Sequence, residues 1–224
     1  MLQKKFDKVV KGYFPDAKDA KDTSIHYLGR MQIEHELDIS RVLMATSVCS
    51  DDINVPSTTF FNVLFGPFIM GGLGGLPFAG KTGMTAFAHH IPDEGSAFIF
   101  YGPHIGITLD GELGKMYRPR QEETGNSCGA LMLALDRLQE SNYKPVLNED
   151  DYQQILDSNN QAKAISEATY DIINKKVHEH IISCKNEFPV NKVTLLGGII
   201  INTDYGLDDY FDSRNFEVID LRSL

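Results

Sequence analysis

Glycine, proline, histidine and cysteine crowd into one third of this chain, and that third limits what the remainder can fold into. From Thr46 to Ala130 the sequence opens on Cys49-Ser-Asp51-Asp52-Ile-Asn54. It passes through Gly66-Pro-Phe-Ile-Met-Gly-Gly-Leu-Gly-Gly75, Ala88-His89-His90-Ile-Pro-Asp93 and Gly102-Pro103-His104-Ile-Gly106, and closes on Ser127-Cys128-Gly129-Ala130. Residues of this kind make turns and close backbone approaches. The regular elements therefore have to come mainly from the flanks and from short apolar runs between the turns.

Those runs read as strands. Val42 to Val48 is short and partly β-branched, and a polar cluster follows it, which suits a buried strand ending at Cys49. Ser96-Ala-Phe-Ile-Phe-Tyr101 delivers Gly102-Pro103-His104 at its end, Val193 to Ile201 is a second buried strand, and Phe216 to Leu221 a last, more exposed one. Helical patterns alternate with them. Ile25, Leu28, Ile33 and Leu37 recur at near-helical spacing, and Ala130 to Leu138 is rich in helix formers. A long apolar stripe starts near Asn148-Glu-Asp-Asp151 and runs from Tyr152 to Cys184, with a break around Ser158-Asn-Asn160. Residues 1–22, rich in Lys and Asp and broken by Gly12 and Pro15, read as an exposed arm or short helix. No repeat or low-complexity linker divides the 224 residues, so the expectation is one α/β domain over 1–224, a sheet flanked by helices.

Composition removes several function classes. A net charge of −10 argues against nucleic acid and against an anionic membrane surface as partners. No run approaches the roughly 20 apolar residues of a membrane span, and three cysteines do not make a disulfide framework. The expectation is a cytoplasmic protein with free thiols.

Two chemistries compete for the central stretch. Cys49, His104 and Cys128 each fall at a strand end or helix start and could converge on a catalytic zinc site, which uses three thiolate or imidazole ligands and leaves one position open, although their long spacing is no motif in itself. Cys128 also precedes a helix, whose dipole favours a thiolate. Alternatively, Gly75-Leu-Pro-Phe-Ala-Gly80-Lys81-Thr82 matches the phosphate-loop pattern letter for letter, with Asp204 as a magnesium-binding acid. Against this, Pro77 removes one of the loop's backbone donors.

The motifs quoted above, together with Pro67 to Gly83, resemble the low-CO2-inducible protein B family, the theta-class carbonic anhydrases, over most of the chain. The resemblance implies a fold similar to beta-class carbonic anhydrases, usually a homodimer, with zinc held by two Cys and one His. Carried onto this sequence, the ligands are Cys49, Cys128 and His104, with His89 and His90 as competing candidates. An Asp–Arg pair is also implied, in which Asp51 is the acid. The position two residues beyond it, where beta-class enzymes carry Arg, holds Ile53. Arg118 is the first choice of partner, with Arg30 and Arg41 behind it.

The implied reaction is zinc-dependent hydration of CO2 to bicarbonate, with His89 or His90 as proton relay and Phe60, Phe61, Phe65 and Phe78 lining an apolar pocket. A catalytically inactive scaffold subunit of the same fold is the alternative.

Overall fold

The computed structural model describes residues 2–139 and 149–224. In chain order the elements are α1 (Leu2–Tyr13), β1 (Lys18–Asp19), α2 (Ala20–Ile33), β2 (Val42–Ser47), α3 (Val55–Thr59), β3 (Phe65–Ile69), α4 (Gly80–His89) and β4 (Ser96–Tyr101). Then follow β5 (His104–Gly106), β6 (Lys115–Met116), β7 (Gly125–Asn126), α5 (Gly129–Gln139), α6 (Glu149–Asp157), α7 (Gln161–Ser183), β8 (Lys192–Asn202) and β9 (Tyr210–Asp220). The main sheet runs β1-β9-β8-β4-β2-β3, with β5 also paired to β8, while β6 and β7 form a separate ribbon. Strands β3, β2, β4 and β8 are parallel, with β3 at one edge, and β9 and β1 close the other edge antiparallel.

The alternation along β4 explains why its sequence looks apolar throughout. Ala97, Ile99 and Tyr101 point into a core shared with Phe6 and Val10 of α1, Phe87 of α4 and Ile173, Val177 and Ile181 of α7. Phe98 and Phe100 point the other way, to Met31, Met44, Phe61, Leu64 and Phe211. A strand buried on both faces needs apolar residues at both parities. β8 follows the same rule, with Leu195 and Ile199 in the first core and Leu196 and Ile200 in the second.

Strands β4 and β5 lie in line along β8, with Tyr101 opposite Gly197 and His104 opposite Ile200. Gly102 sits at the joint, where a Cβ would lie 1.7 Å from the Gly198 carbonyl oxygen. Only glycine lets the chain pass there and turn His104 inward.

Three expectations need correction. Of the two readings of residues 1–22, the short helix holds and the exposed arm does not: α1 carries Phe6 and Val10 into the core, and Phe14 and Ala17 follow them. The stripe Ile25, Leu28, Ile33 and Leu37 splits: Leu28 and Leu37 pack against the second core, but Ile25 and Ile33 are exposed, and the buried residues of α2 are Ala20, Thr23, Ser24 and Met31. The glycine tract contains an edge strand, β3, and leads into α4, neither of which its composition suggested. By contrast, the break near Ser158 is real: α6 ends at Asp157, and Asn160 caps α7 through its side chain at Lys163 N. Asn148, the expected start of this helical stretch, lies outside the described residues. Among the described residues no helix is long and apolar enough to cross a membrane.

Candidate metal centre

The parallel strands bring chemically useful residues to their shared carboxyl ends. Cys49 lies two residues beyond β2, His104 opens β5 and Cys128 immediately precedes α5. All three are buried, and their ligand atoms lie within 4.8 Å of one another. The Cys49 and Cys128 sulfurs are 3.6 Å apart, within a weak hydrogen bond and not joined as a disulfide. Two thiolates about 2.3 Å from one tetrahedral ion lie roughly 3.8 Å apart, so the pair has the spacing of a metal site.

His104 is oriented for the same purpose. Its Nδ1 is 2.7 Å from Asn202 Oδ1, whereas Nε2 is buried without any hydrogen-bond partner. A buried polar atom left unpaired is costly unless something else binds it. The two other unpaired buried side-chain atoms among the described residues are Thr23 Oγ1 and Ser127 Oγ.

Backbone donors hold negative charge on the sulfurs. Gly74 N–H donates to Cys49 Sγ at 3.3 Å, and the amides of Leu131 and Ala130, at the start of α5, face Cys128 Sγ. Hydrogen bonding from Cys128 lowers the Cys49 thiol to about 4, against burial. The same contact, with burial, pushes the Cys128 thiol up. The two thiols share one hydrogen-bonded proton, so the pair carries a single negative charge that a divalent cation could extend to both sulfurs. The residues present fit a divalent metal held by Cys49, His104 and Cys128.

Beside this cluster, Asp51 Oδ2 lies 4.0 Å from His104 Nε2 and 2.5 Å from Arg118 Nη2. Burial raises the Asp51 carboxyl, but the hydrogen bonds from Arg118 and the Ile53 amide, with the charge of Arg118, outweigh it and hold it below the usual carboxylate range. Ile53 N–H donates to the other oxygen. Arg118 also reaches the exposed Asp52 at 3.1 Å. Of the three arginines considered, Arg30 pairs instead with Glu34, and Arg41 with Glu94 and the Asp93 carbonyl.

The structure does not bring His89 and His90 to the cluster. α4 runs back along the parallel strands, so its end lies at their amino ends, where His89 meets Glu187 and His90 bonds the Ala86 carbonyl. The six residues of β2 alone put about 20 Å between the two ends of the sheet. Within one chain, therefore, neither histidine reaches the cluster as a relay or as a ligand.

The four expected pocket phenylalanines also separate. Phe61 packs in the second core on Phe98 and Phe100, Phe65 and Phe78 are exposed, and Phe60 lines a cavity of about 360 Å³ with Asp52, Pro119, Asn202 and Asp209. The apolar neighbours of the cysteines are Leu131 and Met132 of α5.

The phosphate-loop reading fails on hydrogen bonding. The amides of Gly75, Phe78, Ala79 and Gly80 donate to Gly72, Leu76, Met70 and Pro77 carbonyls, so they are not free to cradle a phosphate. Gly75, at φ 84, serves a close approach instead, since a Cβ there would lie 2.5 Å from the Gly102 carbonyl. Asp204 accepts from Tyr117 N–H.

Sequence reasoning missed Asn202 and gave Asn54 no role. Asn54 Nδ2 donates to the Cys49 carbonyl at 3.3 Å, and Asn202 ends β8 beside His104. The signal was available: Asn202 is the first polar residue after a buried parallel strand, the position that had marked Cys49.

Comparison with known proteins points one way. The family described as limiting CO2-inducible proteins B/C beta carbonic anhydrases matches residues 21–220. A crystal structure of PtLCIB4, described as a homolog of the limiting CO2-inducible protein LCIB, superposes with a TM-score of 0.87 at 29% identity, covering 96% of this chain and 95% of that one. The crystal structure of LCIB itself gives 0.63 at 17% identity, covering 94% and 96%, a likeness of fold. Comparison with the curated proteins gives no match.

Proposed function

We infer that this chain, which belongs to the family of limiting CO2-inducible proteins B/C beta carbonic anhydrases, catalyses reversible hydration of CO2 to bicarbonate with a zinc ion held by Cys49, His104 and Cys128. The observation that carries the reading is the convergence of two buried sulfurs and an unpartnered imidazole nitrogen next to an Arg-held carboxylate. Zinc in such a site supplies water acidified for attack on an electrophilic carbon.

The protein's own residues supply the rest. Cys49 and Cys128 contribute two thiolate charges, stabilised by the Gly74, Ala130 and Leu131 amides. His104 offers a neutral Nε2 because its Nδ1–H is committed to Asn202. Asp51 accepts a hydrogen bond from the attacking water and so aims its lone pair at CO2. Arg118 keeps Asp51 turned away from the position that water must occupy. Leu131 and Met132 keep one flank of the sulfurs dry. The released proton leaves by the Asp51–Arg118 side, where both residues remain partly open to solvent.

The chain acts in this reading as one domain, in the cytoplasm, where its three unpaired cysteines stay reduced. It pairs with a second copy, a step supported by the exposed Phe65, Ile69, Leu73 and Phe78 on and after edge strand β3. The test is metal analysis of the purified protein together with a CO2 hydration assay before and after chelation. Protein that hydrates CO2 equally well once its metal is stripped overturns the reading.

A further inference from the structure

We propose that Asp209, acting through Asn202, is a positioning residue that fixes His104 in the tautomer with its proton on Nδ1 and its lone pair on Nε2. The proposal rests on the assignment of Cys49, His104 and Cys128 as metal ligands and extends it outward by two residues.

Asp209 sits between the end of β8 and the start of β9, where three groups converge on it. Thr203 N–H donates to Oδ1 at 3.2 Å, and Ser57 Oγ and Asn202 Nδ2 reach Oδ2 at 2.7 and 3.2 Å. An ionised carboxylate only accepts, so the Asn202 group that faces it has to be the amino group. A second acceptor lies on the same side: Asn54 Oδ1 is 3.5 Å from Asn202 Nδ2, and its own orientation is set because Asn54 Nδ2 donates to the Cys49 carbonyl. With the amino group so placed, Asn202 Oδ1 faces His104 Nδ1 at 2.7 Å and can only accept. His104 must then carry its proton on Nδ1, and the nitrogen left with a lone pair is Nε2, the buried atom that has no partner in the protein.

One network thus reaches two of the three ligands, the His104 ring directly and the Cys49 backbone through Asn54. Nearly all of it is buried: His104, Asn202, Asn54, Ser57 and Thr203 each expose under 5% of their surface. Outer partners of this kind orient metal-binding imidazoles and raise their basicity. Burial leaves the Asp209 carboxyl raised above its ordinary value, although its three donors oppose that push. Asp209 touches neither the metal ligands nor the place of the reacting water, so its role is indirect.

The test has a readout independent of catalysis. In metal-free wild-type protein, nitrogen NMR of His104 should show protonation at Nδ1 alone; an Nε2-protonated ring overturns the proposal outright. Asp209→Asn lets the Asn202 amide turn over, and should give mixed His104 tautomers and a zinc affinity, by chelator competition, about 10- to 100-fold weaker. The double variant Asn202→Asp/Asp209→Asn moves the carboxylate next to the imidazole and the amide behind it. It should restore both the single tautomer and most of the affinity. A loss in the single variant that the exchange does not repair means Asp209 only supports the fold, and the proposal falls. Wild-type protein that takes up no zinc while His104 stays protonated at Nδ1 sinks the metal assignment and leaves the relay standing.

Discussion

Arg118→Ala is the variant that separates a working carboxylate from a decorative one. Two unit charges about 4 Å apart interact by about 4 kcal/mol at an effective dielectric near 20. Arg118 and Asp51 are closer than this, but their side chains are 22% and 15% exposed, so solvent screens part of that attraction. The charge-assisted bond that remains is worth about 2–3 kcal/mol. Asp52, the second partner of Arg118, is 89% exposed and adds little. Without Arg118, Asp51 is free to turn toward the open position, since its Oδ2 already lies 4.0 Å from His104 Nε2. At 1.36 kcal/mol per decade, the expected loss in kcat/KM is about 30- to 150-fold. Stopped-flow CO2 hydration with a pH indicator gives the rate, and metal analysis shows whether zinc content has stayed the same. Asp52→Ala should stay within about twofold of wild type by the same reckoning. An Arg118→Ala protein with full zinc and full turnover would refute the reasoning, because Asp51 would then need no restraint.

Three further outcomes follow from the same geometry. Two thiolates offset the charge of a divalent ion that three imidazoles would leave intact, so activity should rise from about pH 7 to about pH 9; a flat or falling profile contradicts the ligand set. In metal-free protein the Cys49 thiol, lowered to about 4, should already be ionised at neutral pH and protonate only near that value, while Cys128 remains a thiol. Ultraviolet thiolate absorbance should therefore count one thiolate at this pair at neutral pH, and a count of none or two contradicts the coupling. Gly102→Ala places a Cβ against the Gly198 carbonyl at the β4–β5 joint, and should cost at least about 3 kcal/mol of stability in denaturant melts; a loss below about 1 kcal/mol would show that the joint can relax.

Much of the scaffold was legible because burial on both faces leaves a plain mark. The runs that became β2, β4 and β8 are apolar at both parities, and the observed strands differ from the sequence reading by at most a residue at either end. The same logic located Cys49 and His104, since polar residues just beyond such strands face the site. Partner choice could not be read in this way. Arg118 reaches Asp51 from 67 residues away through a loop with little periodicity. The place of the histidine doublet was not legible either: the direction of α4, which the glycine tract conceals, carries it to the far end of the sheet from the cluster of its own chain. The α1 residues were misjudged for a related reason: Lys and Asp dominate their composition, yet Phe6 and Val10, four apart, make one buried stripe. Asn202 escaped notice because an Asn after an apolar strand looks like a turn residue until the imidazole opposite it is seen.

The central claim is that Cys49, His104 and Cys128 hold one ion between them. X-ray absorption at the zinc edge on the purified, zinc-loaded protein tests it most directly. The account predicts a first shell of two sulfurs at about 2.3 Å with nitrogen and oxygen neighbours at about 2.0–2.1 Å, and Cys128→Ser should cut the sulfur count to one. A shell of oxygen and nitrogen without sulfur, or one unchanged by Cys128→Ser, would contradict it.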